Sequence, residues 1–121
     1  MPELSENEKQ AFAQNPAFDK AANRESKQLT SKPDTNDLLE LYGLYKVGVN
    51  EDITPFRKGG KKAPGMFDMK GKYKLEAWEK IVSEGLTQDQ AQERYIAKVE
   101  ALKEKCGFDA NKEPETVGSS A

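Results

Sequence analysis

Apolar positions recur along this chain at the three- and four-residue spacing of helices rather than with the alternation of strands. The clearest run follows Thr87, which forms a capping box with Gln90, and carries Ala91, Tyr95, Val99, Leu102 and Cys106 down one face to a stop at Gly107. Ahead of it, Asp68 can cap a helix whose stripe is Leu75, Trp78, Ile81 and Val82, closed by Gly85. Asp34 or Thr35 can open another, with Leu38, Leu39, Leu41, Tyr42, Leu44 and Tyr45, ending at Gly48 or Asn50. This one is apolar round much of its girth. From Phe18 to about Leu29, Phe18, Ala21, Ala22 and Leu29 share one flank, and the polar "TSKPD" that follows ends it. Together these four amphipathic segments predict an all-α fold, a small four-helix bundle.

Between them, "NEDITPFRKGGKKAPGMFD" holds prolines and glycines and neither periodicity, so a long loop, with at most a short turn, is expected between the second and third helices. Residues 1–17 are polar and broken by Pro2 and Pro16; the Ser5–Glu8 spacing permits one short helical turn in this N-terminal extension. The expected domain is 18–108, and 109–121 reads as a disordered C-terminal tail.

Composition narrows the function classes. At 121 residues the chain fits one domain, and no apolar run approaches the roughly 18 residues of a membrane span. No charged-then-apolar leader is visible, so a soluble, cytoplasmic protein is expected, and the lone Cys106 fits a reduced compartment. The absence of histidine removes Ser-His-Asp and Cys-His nucleophiles and most zinc, copper and haem ligation. No carboxylate pair stands out either, so a binding protein without catalysis, metal or cofactor is the expectation. The formal charge is -2, yet Arg57, Lys58, Lys61, Lys62, Lys70, Lys72 and Lys74 cluster against the single acid Asp68. A local cationic zone on an otherwise acidic chain points to a small polyanion or phosphate group more than to a nucleic-acid duplex.

The stretch "YGLYK" puts Tyr42, Tyr45 and Lys46 on one helical face. Phosphates take ammonium and phenolic donors and a planar base takes an aromatic face, so this set suits a nucleotide-containing ligand. Lys70 and Lys74 stand four residues apart near the next helix start, where the helix dipole also favours anions. Taken alone, the two tyrosines read more readily as bundle-boundary residues with wet hydroxyls, the lysines as a solvated face, and Trp78 and Tyr95 as packing residues. Gly43 costs about 1 kcal/mol of helix propensity, which suggests that a ligand or a neighbouring helix comes close to it.

"LYGLYK", then "PGMFDMKGKYKLEAWEK", then "AQERYIAKVEALKEKCG", preceded by "FDKAA" and "SKP", together resemble the acyl-CoA-binding protein family from about Phe18 to Phe108. The resemblance implies a four-helix bundle with a shallow bowl that binds medium- and long-chain fatty acyl-CoA without turning it over, an intracellular carrier and pool former. It implies that Tyr42, Lys46 and Lys74 meet the 3′-phosphate of CoA and that Tyr45 offers its ring to adenine. Within the same motif Gly43 and Leu44 belong to the ligand-binding stretch, Lys70 is a further CoA contact and Tyr95 lines the site. Lys27 corresponds to a basic contact on the first helix, across an additional residue between "FDKAA" and "QL". An acyl groove floored by Leu38, Leu39 and Met66 would go with it.

Fatty acyl-CoA is thus the expected ligand of a monomer, with transient contact to membranes or acyl-CoA-using enzymes and none to nucleic acid. Two departures stand out. Leu75 replaces an expected tryptophan, and the connection from Lys46 to Pro64, with "FRKGGKKAPG", is longer than in short family members. That connection could extend the rim of the bowl, add phosphate contacts or attract an anionic membrane surface. The alternative function is accordingly a module that binds an anionic membrane or other polyanion through 57–74.

Overall fold

The computed structural model describes residues 4–113. Within them run α1 (Glu6–Gln14), α2 (Pro16–Asn23), α3 (Thr35–Gly48), α4 (Met69–Ser83) and α5 (Gln88–Cys106). The four later helices make the expected bundle: α3 packs against both α4 and α5, and α2 lies on α5. Among the described residues the sole extended pairing is an isolated antiparallel bridge between Leu29 and Phe108.

The caps read from the sequence set most boundaries. Asp34, not Thr35, caps α3 by accepting from the Asp37 N–H, Asp68 caps α4 through Gly71, and the Thr87–Gln90 capping box opens α5. On α5 the whole stripe from Ala91 to Cys106 is buried, and Phe18, Ala21, Ala22, Leu29, Leu41, Leu44, Val49 and Ile81 join it in the core. Trp78 is buried on α4, but Val82 is exposed.

Three segments differ from the sequence reading. The Ser5–Glu8 capping box opens a helix of nine residues rather than a single turn, and Ala11 and Phe12 enter the core, so the bundle begins ahead of Phe18. Pro16 starts α2 instead of ending a turn: its missing N–H costs nothing at the first helical position, and the Asn15 side chain accepts from the Phe18 N–H. Asn15 also donates to Gln92 at 3.0 Å, tying this corner to α5.

The first long helix stops at Asn23 and tightens into a 3-10 turn over Glu25–Lys27 instead of reaching Leu29. Beyond it the chain runs alongside the end of α5, with Thr30 and Ser31 N–H groups donating to the Gly107 and Cys106 carbonyls. Gly107 holds φ +84°, and a Cβ there would lie 2.1 Å from the Thr30 hydroxyl. Only glycine fits that crossing.

The long connection contains one 3-10 turn, Thr54–Phe56. It is pinned to α4 by Arg57, whose guanidinium makes a two-pronged contact with Glu79 at 2.8 and 2.9 Å, and by the Phe56 ring, 5.1 Å from Trp78. The start of the expected tail is also held. Buried Gln28 donates to the Ala110 and Lys112 carbonyls, and Lys112 donates back to the Leu29 carbonyl. Residues 114–121 of that tail, and 1–3 of the extension, lie outside the described residues.

Candidate functional site

An open cavity of about 920 Å³ lies between the 26–33 segment, α3, α4 and α5. Of the expected site residues, Lys27, Leu38, Leu39, Tyr42, Tyr45, Lys70, Lys74 and Tyr95 line it. Helix α3 supplies much of the wall because Leu38, Leu39, Tyr42 and Tyr45 fall within about two turns of it. Helix α4 brings Lys70 and Lys74, one turn apart, to the same opening. Leucines, ammonium groups and a phenol thus line a single cavity, which gives it both apolar and cationic character.

The Lys74 ammonium sits 4.7 Å from the centre of the Tyr42 ring and the Lys46 ammonium 5.5 Å from it. Burial, with Lys70 and Lys46 nearby, holds the Lys74 pKa below its ordinary value. An anion arriving there would relieve that repulsion. Burial also raises the Tyr42 pKa, with Glu51 adding to the effect, so its hydroxyl stays a donor at neutral pH.

Lys46 does not line the cavity. Its ammonium stands over the Tyr42, Phe56 and Trp78 rings and pairs with Glu51 at 2.8 Å. The carboxylate that holds it comes from the turn just after α3.

Tyr45 and Tyr95 form the cavity's inner wall. Tyr45 packs among Phe12, Phe18 and Tyr95, with ring centres 6.0 to 6.2 Å away, and donates its hydroxyl to the Glu8 carboxylate. Burial and that bond drive the Tyr45 pKa well above the ordinary phenol range. Burial works to raise the Glu8 pKa too, but the Tyr45 hydroxyl and the Ser5 donors outweigh it and leave it lowered. Tyr95 meets Phe18 edge-on at 5.3 Å, and burial pushes its pKa up to about 12, the Ser26 hydrogen bond working against this.

Besides Lys46, three expected site residues sit elsewhere. Leu44 is fully buried because Leu41, Leu44 and Gly48 occupy the flank that α3 turns to the interior. Gly43 faces α4: a Cβ there would come within 2.7 Å of the Ala77 carbonyl oxygen. The neighbouring helix, not a ligand, is what comes close. Met66 lies on the turn ahead of α4 and points to solvent rather than into the groove.

Conversely, Lys32, Tyr73 and Lys112 line the cavity without having been singled out. Lys32 stands within "SKP", where the motif gave a signal; Lys112 is placed by the Gln28 clamp, which no local pattern announces. Glu8 belongs to the same class, since its contact spans 37 positions. Among the described residues no cluster of His, Cys, Asp and Glu could hold a metal ion, and no helix is long and apolar enough to cross a membrane.

Comparison with known proteins gives a consistent result. The sequence model of the family described as "Acyl CoA binding protein" matches residues 15–99. The chain is similar to an acyl-CoA-binding protein homolog from Manduca sexta, 46% identical over 85 residues, 70% of this chain and 86% of the relative. It is also similar to an acyl-CoA-binding protein from Saccharomyces cerevisiae, 45% identical over 78 residues, 62% of this chain and 77% of the relative. Among solved structures, Acyl-CoA-Binding Protein 2 from Oryza sativa aligns with a TM-score of 0.58 at 33% identity, covering 81% of this chain and 97% of that one.

Proposed function

This chain belongs to the acyl-CoA-binding protein family, and from that membership we propose that it binds medium- and long-chain fatty acyl-CoA in the cavity between α3, α4 and the 26–33 segment, as a non-catalytic carrier and pool former. The observation that carries the reading is that one cavity is lined both by apolar Leu38 and Leu39 and by the side chains of Tyr42, Lys70 and Lys74, which suit a phosphate. Leu38 leaves 38% of its surface to solvent, an apolar exposure that a bound chain would cover.

Each methylene removed from water stabilises the complex by about 0.8 kcal/mol, so the apolar lining favours longer chains. The head group supplies orientation. The 3′-phosphate of CoA takes the Lys74 ammonium and the Tyr42 hydroxyl, with Lys70 beside them; Lys46, over the Tyr42 ring and paired with Glu51, adds charge without being the foremost contact. Lys27, with Lys32 and Lys112 on the same cavity, serves the remaining phosphates. Tyr45 and Tyr95 present what is left of their rings as the wall against which adenine lies. The carrier works as a monomer in the cytoplasm, and it releases its ligand intact to acyl-CoA-using enzymes.

Calorimetry with palmitoyl-CoA, its 3′-dephospho analogue and free palmitate tests this. The expected order is palmitoyl-CoA tightest, then the dephospho analogue, with palmitate weakest. Equal affinity for all three overturns the phosphate assignment, and no heat from palmitoyl-CoA overturns the function.

A further inference from the structure

The turn that leads into α4 is unlike the rest of the surface. The Asp68 N–H donates to the Gly65 carbonyl at 3.0 Å, which closes a four-residue turn and puts Met66 and Phe67 at its tip. Both point into water: Met66 is 77% and Phe67 92% exposed, with Met69 and Tyr73 about half exposed on the helix that follows. Neither Met66 nor Phe67 lines the cavity, so a ligand held there leaves them bare.

Lysines flank the apolar tip along the chain on both sides. Lys72 donates to the Met66 carbonyl at 2.7 Å, which fixes an ammonium against the turn. Lys70 is exposed just beyond it, and Lys58, Lys61 and Lys62 are exposed on the connection that leads in. The one acid within the turn, Asp68, spends its carboxylate on the Gly71 N–H at 2.9 Å. Arg57 is committed to Glu79 and is left out of this group.

From this juxtaposition we infer that the Met66–Phe67 turn docks the protein on anionic lipid bilayers, the two side chains entering the headgroup region while the flanking lysines meet acidic lipids. A bilayer of that kind satisfies both parts of the patch at once. A second copy of the chain does not, since a two-fold contact through this turn would set lysines against lysines. The docked orientation has a use: Lys70, Tyr73 and Lys74 on the same helix end line the cavity, so its mouth would face the membrane from which an amphiphile is taken or to which it is given. The inference goes beyond the ligand reading and is tested without any ligand.

The experiment is flotation of the full, ligand-free chain with vesicles of phosphatidylcholine alone and of phosphatidylcholine with about a third phosphatidylserine. The parent protein is expected on the anionic vesicles only. The M66S/F67S double variant is expected to lose at least about tenfold in vesicle affinity. Its circular dichroism and its palmitoyl-CoA affinity in vesicle-free solution should match the parent, both positions being exposed and outside the cavity. Absence of the parent from anionic vesicles, equal recovery of the double variant, or equal binding to neutral vesicles overturns the proposal. So does a concentration-dependent dimer that the double variant abolishes while vesicle binding persists, because the turn would then serve self-association. Failure of the parent to bind palmitoyl-CoA would refute the ligand reading and leave the flotation result to stand by itself.

Discussion

Replacing Gly43 with alanine isolates the contact that sets α3 against α4. Taken as a helix residue, the glycine is unfavourable by about 1 kcal/mol, and alanine would return that amount. The space forbids it. A Cβ built at 43 lies 2.7 Å from the Ala77 carbonyl oxygen and 2.8 Å from Ile81 Cγ1. The first is backbone in the middle of α4, and the second belongs to a buried side chain, so neither can swing aside and the helices must part. Overpacking of this kind costs about 1–3 kcal/mol, and a backbone obstacle argues for the upper half of that range. Set against the propensity gain, the expected net loss is about 1–2 kcal/mol.

For a domain of this size that corresponds to a fall in Tm of roughly 4–12 °C. Urea unfolding followed by Trp78 fluorescence gives the free energy, and a thermal melt gives the midpoint. Parting α3 from α4 also separates Tyr42 from Lys74, so palmitoyl-CoA affinity should weaken together with stability. A Gly43→Ala protein as stable as the parent or more so would refute the reasoning, because the glycine would then have no steric purpose.

Further outcomes follow from the same geometry. Lys74→Ala should weaken palmitoyl-CoA about tenfold, the low end for a charge-assisted bond because the ammonium is partly exposed, and calorimetry on the folded variant reads this directly. The Asp37 carboxyl, held by Lys105 and then Lys98, has its pKa lowered from 3.8 to about 2. A folded-state pKa below the unfolded one stabilises the protein above about pH 4, and that contribution is lost as pH falls through about 2. Asp37→Asn should therefore flatten stability against pH in this window, and an unchanged profile would contradict the assignment. Gln28→Ala strands the Ala110 and Lys112 carbonyls, so amide exchange over 109–112 should quicken while α5 exchange stays slow and global stability falls by about 1–3 kcal/mol.

Local chemistry was readable where a signal and its partner lie within one or two turns. The Thr87–Gln90 box, the Asp68 cap and the stripe from Ala91 to Cys106 each use neighbours in sequence, so composition and spacing suffice. The cavity-lining positions of Tyr42, Tyr45, Lys70, Lys74 and Tyr95 coincide with those the family motif implied, because the motif already encodes which turns of α3, α4 and α5 share an opening. What stayed hidden depends on distant partners. Lys46 turns to Glu51 and three aromatic rings, two of them brought by the long connection and α4. Glu8 reaches Tyr45 only once α1 has folded onto α2, and Met66 reads as a groove residue until the Gly65–Asp68 turn aims it at water. Leu44 and Gly43 share the motif with Tyr42 and Tyr45, yet a helix must turn some of any four consecutive residues away from a single cavity.

The most direct test of the account is an amide-resolved NMR titration of the uniformly labelled chain with palmitoyl-CoA. The largest shifts are expected on Ser26 and Lys27, on Leu38, Leu41 and Tyr42, on Lys70 and Lys74 and on Tyr95, all of which line the 920 Å³ cavity. Shifts centred instead on Asn36, Glu76, Lys80 and Arg94, which line a separate groove between α3, α4 and α5, or no shifts at saturating ligand, would contradict it.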